Sequence, residues 1–133
     1  MYCGIQKGGI SVKIESICEN GLSLAVISSD EPVMIDGPSA LDLAMTVKYQ
    51  TGASSLILDK RAVCEKFFIL SSGLAGDVLQ KYINYYIRAA IYGDYSRYTS
   101  KPLRDFIYES NHGTNFFFTA TKEEAVQKLT KQR

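Results

Sequence analysis

Ser71-Ser72-Gly73-Leu74-Ala75-Gly76-Asp77-Val78-Leu79-Gln80-Lys81-Tyr82-Ile83, residues 71–83, is the stretch that decides the fold. Leu74, Val78 and Tyr82 recur at four-residue steps beside Ala75, Leu79 and Ile83, while Asp77, Gln80, Lys81 and Asn84 take the other face. Side chains three and four apart share one side of an α-helix, so the pattern predicts an amphipathic helix with one face on a core. The small residues in front of it read as the helix start. There the first backbone N–H groups have no partner within the helix and favour an anion such as a phosphoryl group. A hydroxyl in that place either caps the helix or is open to modification.

Working outward, the neighbours of this helix read as strands. Ser55 to Leu58 is a short apolar run that stops at Asp59, as a buried strand does, and Tyr86 to Tyr92 is a second one that ends at Gly93-Asp94. The apolar residues Val63 to Leu70 fit either a helix or a strand. Nearer the amino end, Val12, Ile14 and Ser16 alternate with Lys13, Glu15 and Ile17, and Asn20-Gly21 separates them from Leu22 to Ile27. Asn-Gly favours the positive φ angles of a type I′ turn, which predicts a hairpin with a loop of two residues or slightly more. Ser39, behind Pro38, reads as the cap of a helix reaching about Tyr49, with Gly52 beyond its end.

Towards the carboxyl end, Thr99 or Ser100 would cap a helix over Leu103 to Ser110, with Pro102 in its first turn and Gly113 past its end. Phe116 to Phe118 reads as a short buried strand, and Thr121 with Glu124 forms a capping box before Ala125, Val126 and Leu129. The order ββαβαβαβα predicts an α/β fold: a single mixed, mostly parallel five-stranded sheet with flanking helices. Residues 1–11 are set apart as an amino-terminal extension, and residues 12–133 as one domain.

At 133 residues, 46% hydrophobic and 22% charged, the chain has the composition of an ordinary globular domain. Its net charge of +1 gives no broad electrostatic footprint for nucleic acid. Cys3, Cys18 and Cys64 are odd in number and widely spaced, unlike a disulfide framework or a zinc site. Met1 to Ser11 lacks the pattern of a secretory signal and no apolar run approaches the length of a membrane span. The expectation is a cytoplasmic protein that binds neither nucleic acid nor membrane and needs no metal or other cofactor; a protein partner, or a second copy of the chain, fits better.

Two sets of residues invite a functional reading. Asp59 and Asp94 sit at the predicted carboxyl ends of parallel strands, the edge where open α/β sheets bind ligands, and Arg97 and Arg104 follow in the same region. Two carboxylates there would hold a divalent ion or share acid and base roles, and the arginines would fork onto a phosphate or carboxylate. The plainer reading is that the acids brace turns and the arginines join solvated helix pairs. Tyrosines concentrate between residues 82 and 108; Tyr95 and Tyr98, in the loop after Gly93, are expected at the surface as partner contacts, with Tyr82 and Tyr92 in the core. His112 is expected to satisfy a carbonyl at a helix end and Cys64 to pack inside.

Nearly the whole chain from Val12 resembles a bacterial family known as domain of unknown function 4180. The resemblance is carried by Ser39-Ala40-Leu41-Asp42-Leu43, Gly73-Leu74-Ala75-Gly76, Leu79-Gln80-Lys81, Gly93-Asp94-Tyr95-Ser96 and the run from Ser100 to Glu109, and it implies no known activity. More loosely, the chain is similar to STAS domains, the anti-sigma factor antagonists, through its strand–helix order and a Ser-Ser-Gly-Leu segment at a helix start. That likeness implies a regulatory protein-interaction domain in which a kinase modifies a serine. Ser71 and Ser72 take that place, Ser72 first because it directly precedes Gly73.

Overall fold

The computed structural model describes residues 2–7 and 10–131. Six strands form one sheet in the order of the chain: β1 (Tyr2–Lys7), β2 (Ile10–Glu19), β3 (Leu22–Ser28), β4 (Ser55–Asp59), β5 (Arg88–Tyr92) and β6 (Phe116–Thr119). The pairs β1–β2 and β2–β3 are antiparallel, and β3–β4, β4–β5 and β5–β6 are parallel. The mixed five-stranded sheet expected from the sequence is thus present from β2 onward. In addition, residues 2–7 of the segment set apart as an extension add a strand at its edge.

Four α-helices join and follow these strands: α1 (Gly37–Thr51), α2 (Leu74–Asn84), α3 (Lys101–Asn111) and α4 (Lys122–Thr130). Parallel neighbours joined in sequence by right-handed crossovers place their connecting helices on one face of the sheet. The burial pattern agrees. Leu43 and Val47 of α1, Val78 and Tyr82 of α2 and Leu103 of α3 share one core with Ile27, Leu56, Leu58, Ile91, Phe116 and Phe118. The alternate strand residues Leu24, Val26, Ile57, Ala90 and Phe117 face the other way and are covered by Ala125 and Leu129 of α4.

Local chemistry sets the boundaries. Glu19 pairs with Leu22 across a two-residue loop in which Asn20 and Gly21 have φ of 52° and 78°, as the hairpin reading requires. Ser100 caps α3, accepting from the Leu103 amide, and Thr121 caps α4, accepting from the Glu124 amide at 3.2 Å while Glu124 takes the Ala120 amide. The start of α1 needs a correction: the cap is Asp36, and Ser39 is the third helical residue. Asp36 Oδ1 accepts from the Ser39 amide at 2.8 Å and Ser39 Oγ accepts from the Asp36 amide at 3.0 Å, a reciprocal box that Pro38 leaves intact because the first helical amides need no partner.

Residues 60–72, in part ambiguous by pattern, wind as three short 3₁₀ turns that bury Phe67 and Phe68. The strand expected from Tyr86 begins at Arg88, because Tyr86 takes a left-handed conformation with φ of 59°. At the free edge of β6, the Asn111 side chain accepts from the Phe118 amide at 2.7 Å and donates to the Phe118 carbonyl at 3.0 Å. One side-chain amide thereby fills the place of a neighbouring strand and closes that edge.

Candidate functional site

The crossovers bring the starts of α1 and α2 side by side at the carboxyl end of the sheet. Asp77, in the first turn of α2, lies over Gly37 at the start of α1 so closely that a Cβ on Gly37 would overlap its carboxylate. Asp77 Oδ1 is also 2.9 Å from Lys81 Nζ. Deeper in the same interface the buried Tyr82 hydroxyl donates to the Ala40 carbonyl at 2.8 Å. Burial pushes the Tyr82 phenol well above its ordinary range, so it stays protonated and remains a donor.

Ser71, Ser72 and Gly73 are all exposed at the start of α2. Their hydroxyls are not equivalent. Ser72 Oγ donates to the Lys66 carbonyl at 2.8 Å and accepts from the Leu74 amide at 3.2 Å, so it caps the helix and ties it to the preceding turn. Among the described residues the Ser71 hydroxyl has no hydrogen-bond partner. Gly73, at φ of 80°, makes the left-handed turn into the helix, and a Cβ there or on Gly76 would meet nothing. Ile69, 53% exposed, and Ile35, 51% exposed, border this edge just before the two helix starts. Lys66 lies between the segments: its carbonyl holds Ser72 and its charge acts on Asp36.

The four residues of the acidic and basic group do not come together in one cleft. Asp59 and Asp94 share one of about 440 Å³ with Asp30, Lys60, Arg61 and Glu65. Gly93 lets the chain after β5 pass this turn closely, since a Cβ there would come within 2.7 Å of Lys60 Cβ. Charges in this cleft are largely answered: Arg61 reaches Asp59 at 3.1 Å and Asp30 at 3.5 Å, and Glu65 takes Arg97 at 2.6 Å and Lys60 at 3.9 Å. The Ser96 amide, bonding Asp94 Oδ1 at 2.9 Å, holds the Asp94 carboxyl below its usual range. No group of three or more His, Cys, Asp or Glu fit to hold a metal ion occurs among the described residues. Arg104 lies in a separate groove along α3 with Tyr95, Tyr98 and Tyr108. The sequence placed these groups on one edge, but the direction in which α3 leaves it is set by docking of Leu103, Phe106 and Ile107 on the core.

The tyrosine loop also turns inward. Tyr95, expected at the surface, donates its hydroxyl to the Ile91 carbonyl at 2.6 Å and packs on Phe68 and Phe118; burial raises its phenol far above the ordinary range. Tyr98 is half-buried, stacked on Phe68 with ring centroids 5.0 Å apart, and its hydroxyl donates to Glu65 at 2.7 Å. Phe68 draws both rings in, a tertiary effect with no local signal. Tyr82 is buried as expected and Tyr92 half-buried. His112 Nδ1 lies 2.8 Å from the Tyr108 carbonyl and Cys64 packs partly against the core, as read. The exposure of Ile35 and Ile69 was not anticipated.

Fold and site together define a small open-sheet α/β domain with Asp59, Asp94 and the starts of α1 and α2 at the carboxyl ends of its parallel strands. The family model of a domain of unknown function, DUF4180, matches residues 19–129, and the chain belongs to that family. No curated protein and no solved structure matches the chain significantly. No helix among the described residues is long and apolar enough to cross a membrane.

Proposed function

We propose that this is a cytoplasmic regulatory domain that binds a protein partner through the starts of α1 and α2, with a serine there as the switch. The observation that carries the reading is the Ser71 hydroxyl, exposed and without a partner among the described residues, with half-exposed Ile69 two residues before it and half-exposed Ile35 just before the neighbouring start of α1. Apolar side chains of that exposure supply contact area, and an uncommitted hydroxyl is accessible to a kinase. The resemblance to anti-sigma factor antagonists points the same way. Geometry moves the preferred target from Ser72, whose oxygen is spent on the cap, to Ser71. A phosphoryl group on Ser71 would bring about two negative charges to the start of α2, which its dipole tolerates, and into an apolar contact, which would not.

Affinity capture from native extract tests this. Wild type and Ser71→Ala should retain the same partner, while Ser71→Asp and Ile69→Lys should lose it with the fold intact by circular dichroism. Identical captured proteins from all four variants would overturn the reading. A second reading, a small-molecule site or enzyme using Asp59 and Asp94, is favoured by their shared cleft. Magnesium-dependent thermal stabilisation that vanishes in Asp59→Asn would support it.

A further inference from the structure

The groove along α3 differs from every other charged region described above. Among the described residues, Arg104 is the one arginine whose side chain has neither a hydrogen bond nor an ion pair; Arg61 and Arg97 are paired with carboxylates and Arg88 donates to the carbonyls of Thr114 and Leu129. Arg104 lines a groove of about 520 Å³. Thr99, whose hydroxyl is also without a partner among the described residues, lines the same groove.

The walls are aromatic and fixed. Tyr108, 65% exposed, leans on the His112 ring with centroids 4.2 Å apart, and His112 is itself anchored by the Tyr108 carbonyl. Tyr98 and Tyr95 are held by their hydroxyl bonds to Glu65 and Ile91. Arg104, Ile107, Tyr108 and Asn111 follow the three- and four-residue steps of one helix face, so cation and ring are offered together. A guanidinium is a planar fork matched to a carboxylate, and a lone cation suits a single negative charge better than a phosphate dianion. Rings already immobilised lose little freedom when a flat ligand settles on them.

We propose that this groove binds a small aryl carboxylate, its carboxylate bidentate on Arg104 and its ring against Tyr108 and Ile107. The site is independent of the serine surface and of the Asp59–Asp94 cleft.

Titration of the full chain with benzoate, followed by ¹H–¹⁵N correlation spectra, tests it. Saturable shifts should cluster at Thr99, the Arg104 Nε–H and residues 107–111. Neutral benzamide should bind at least about tenfold more weakly, the loss expected for one charge-assisted contact. Arg104→Gln should lose the preference for benzoate over benzamide while its spectrum stays dispersed. Tyr108→Ala should weaken benzoate but leave acetate unchanged. Equal binding of benzoate and benzamide, tighter binding of inorganic phosphate than of benzoate, or no saturable shift in the groove would each overturn the proposal.

Discussion

The starts of α1 and α2 lie side by side and are built on opposite terms. At α1, Asp36 and Ser39 exchange amide bonds, Ser39 Oγ also accepts from the Ile35 amide at 2.9 Å, and Asp77 sits directly over Gly37. At α2, the residue in the capping position is Gly73, which has no side chain to offer; Ser72 covers one amide, and space around Gly73 and Gly76 is open. Both starts carry small residues followed by an amphipathic helix, so their difference in sequence is slight. The closed start spends its polar groups on itself, and its glycine makes room for a neighbouring helix. The open one leaves the Ser71 hydroxyl without a partner among the described residues.

The comparison depends on the two helices being held in register, and Tyr82 is the residue that holds them. Tyr82→Ala empties a fully buried site and should cost about 3–5 kcal/mol, read from the midpoint of urea unfolding. Tyr82→Phe keeps the ring and removes only the donor to the Ala40 carbonyl, and should cost about 1 kcal/mol. A Tyr82→Phe variant as unstable as Tyr82→Ala would mean that the hydroxyl, not the packing, aligns the two starts.

Much of this was legible from the residues, and the failures share a cause. Asn20-Gly21 and Thr121 with Glu124 specify local geometry through their own backbone preferences, and the structure carries both out. The α2 pattern is equally direct, because its buried face repeats at helical steps. Asp36 was passed over because it and Ser39 are both capping residues, and only the path of the chain from β3 selects between them. The 3₁₀ turns before α2 are too short to show a period. Tyr95 was misplaced for a different reason: a loop has no repeat, and where its ring points is decided by Phe68 and Phe118, distant in sequence. Arg104 was misplaced because the docking of α3 on the core, through Leu103, Phe106 and Ile107, sets the direction of the helix that carries it. The carboxyl-edge rule rightly put Asp59 with Asp94, since register alone fixes where β4 and β5 end.

The two serines offer a sharper cut through the open start. Ser72→Ala removes the acceptor for the Leu74 amide and the donor to the Lys66 carbonyl, and should cost about 1 kcal/mol, typical of a lost cap. Ser71→Ala touches no bond and should stay within about 0.5 kcal/mol of wild type. If Ser71→Ala proved the more damaging, Ser71 would be a structural residue and the reserve hydroxyl an illusion of the exposed turn.

The smallest effect belongs to the closed start and appears only in acid. The amide and hydroxyl of Ser39 hold the Asp36 carboxyl below its ordinary value of 3.8, with Lys66 adding a lesser pull in the same direction. A carboxyl depressed by folding binds its proton more readily in the unfolded chain, so its contribution is present above the ordinary value and drains away as pH falls through the folded one. Asp36→Asn keeps an acceptor at the cap but cannot titrate. Its melting temperature should therefore lie below that of wild type at pH 7, and the gap should narrow as the pH drops beneath 4. Because Asp36 is exposed, added salt should weaken the Lys66 part of the effect and leave the Ser39 bonds untouched. A gap that stays constant through the acid range would show that the box works without the charge, and that the closed start differs from the open one by geometry alone.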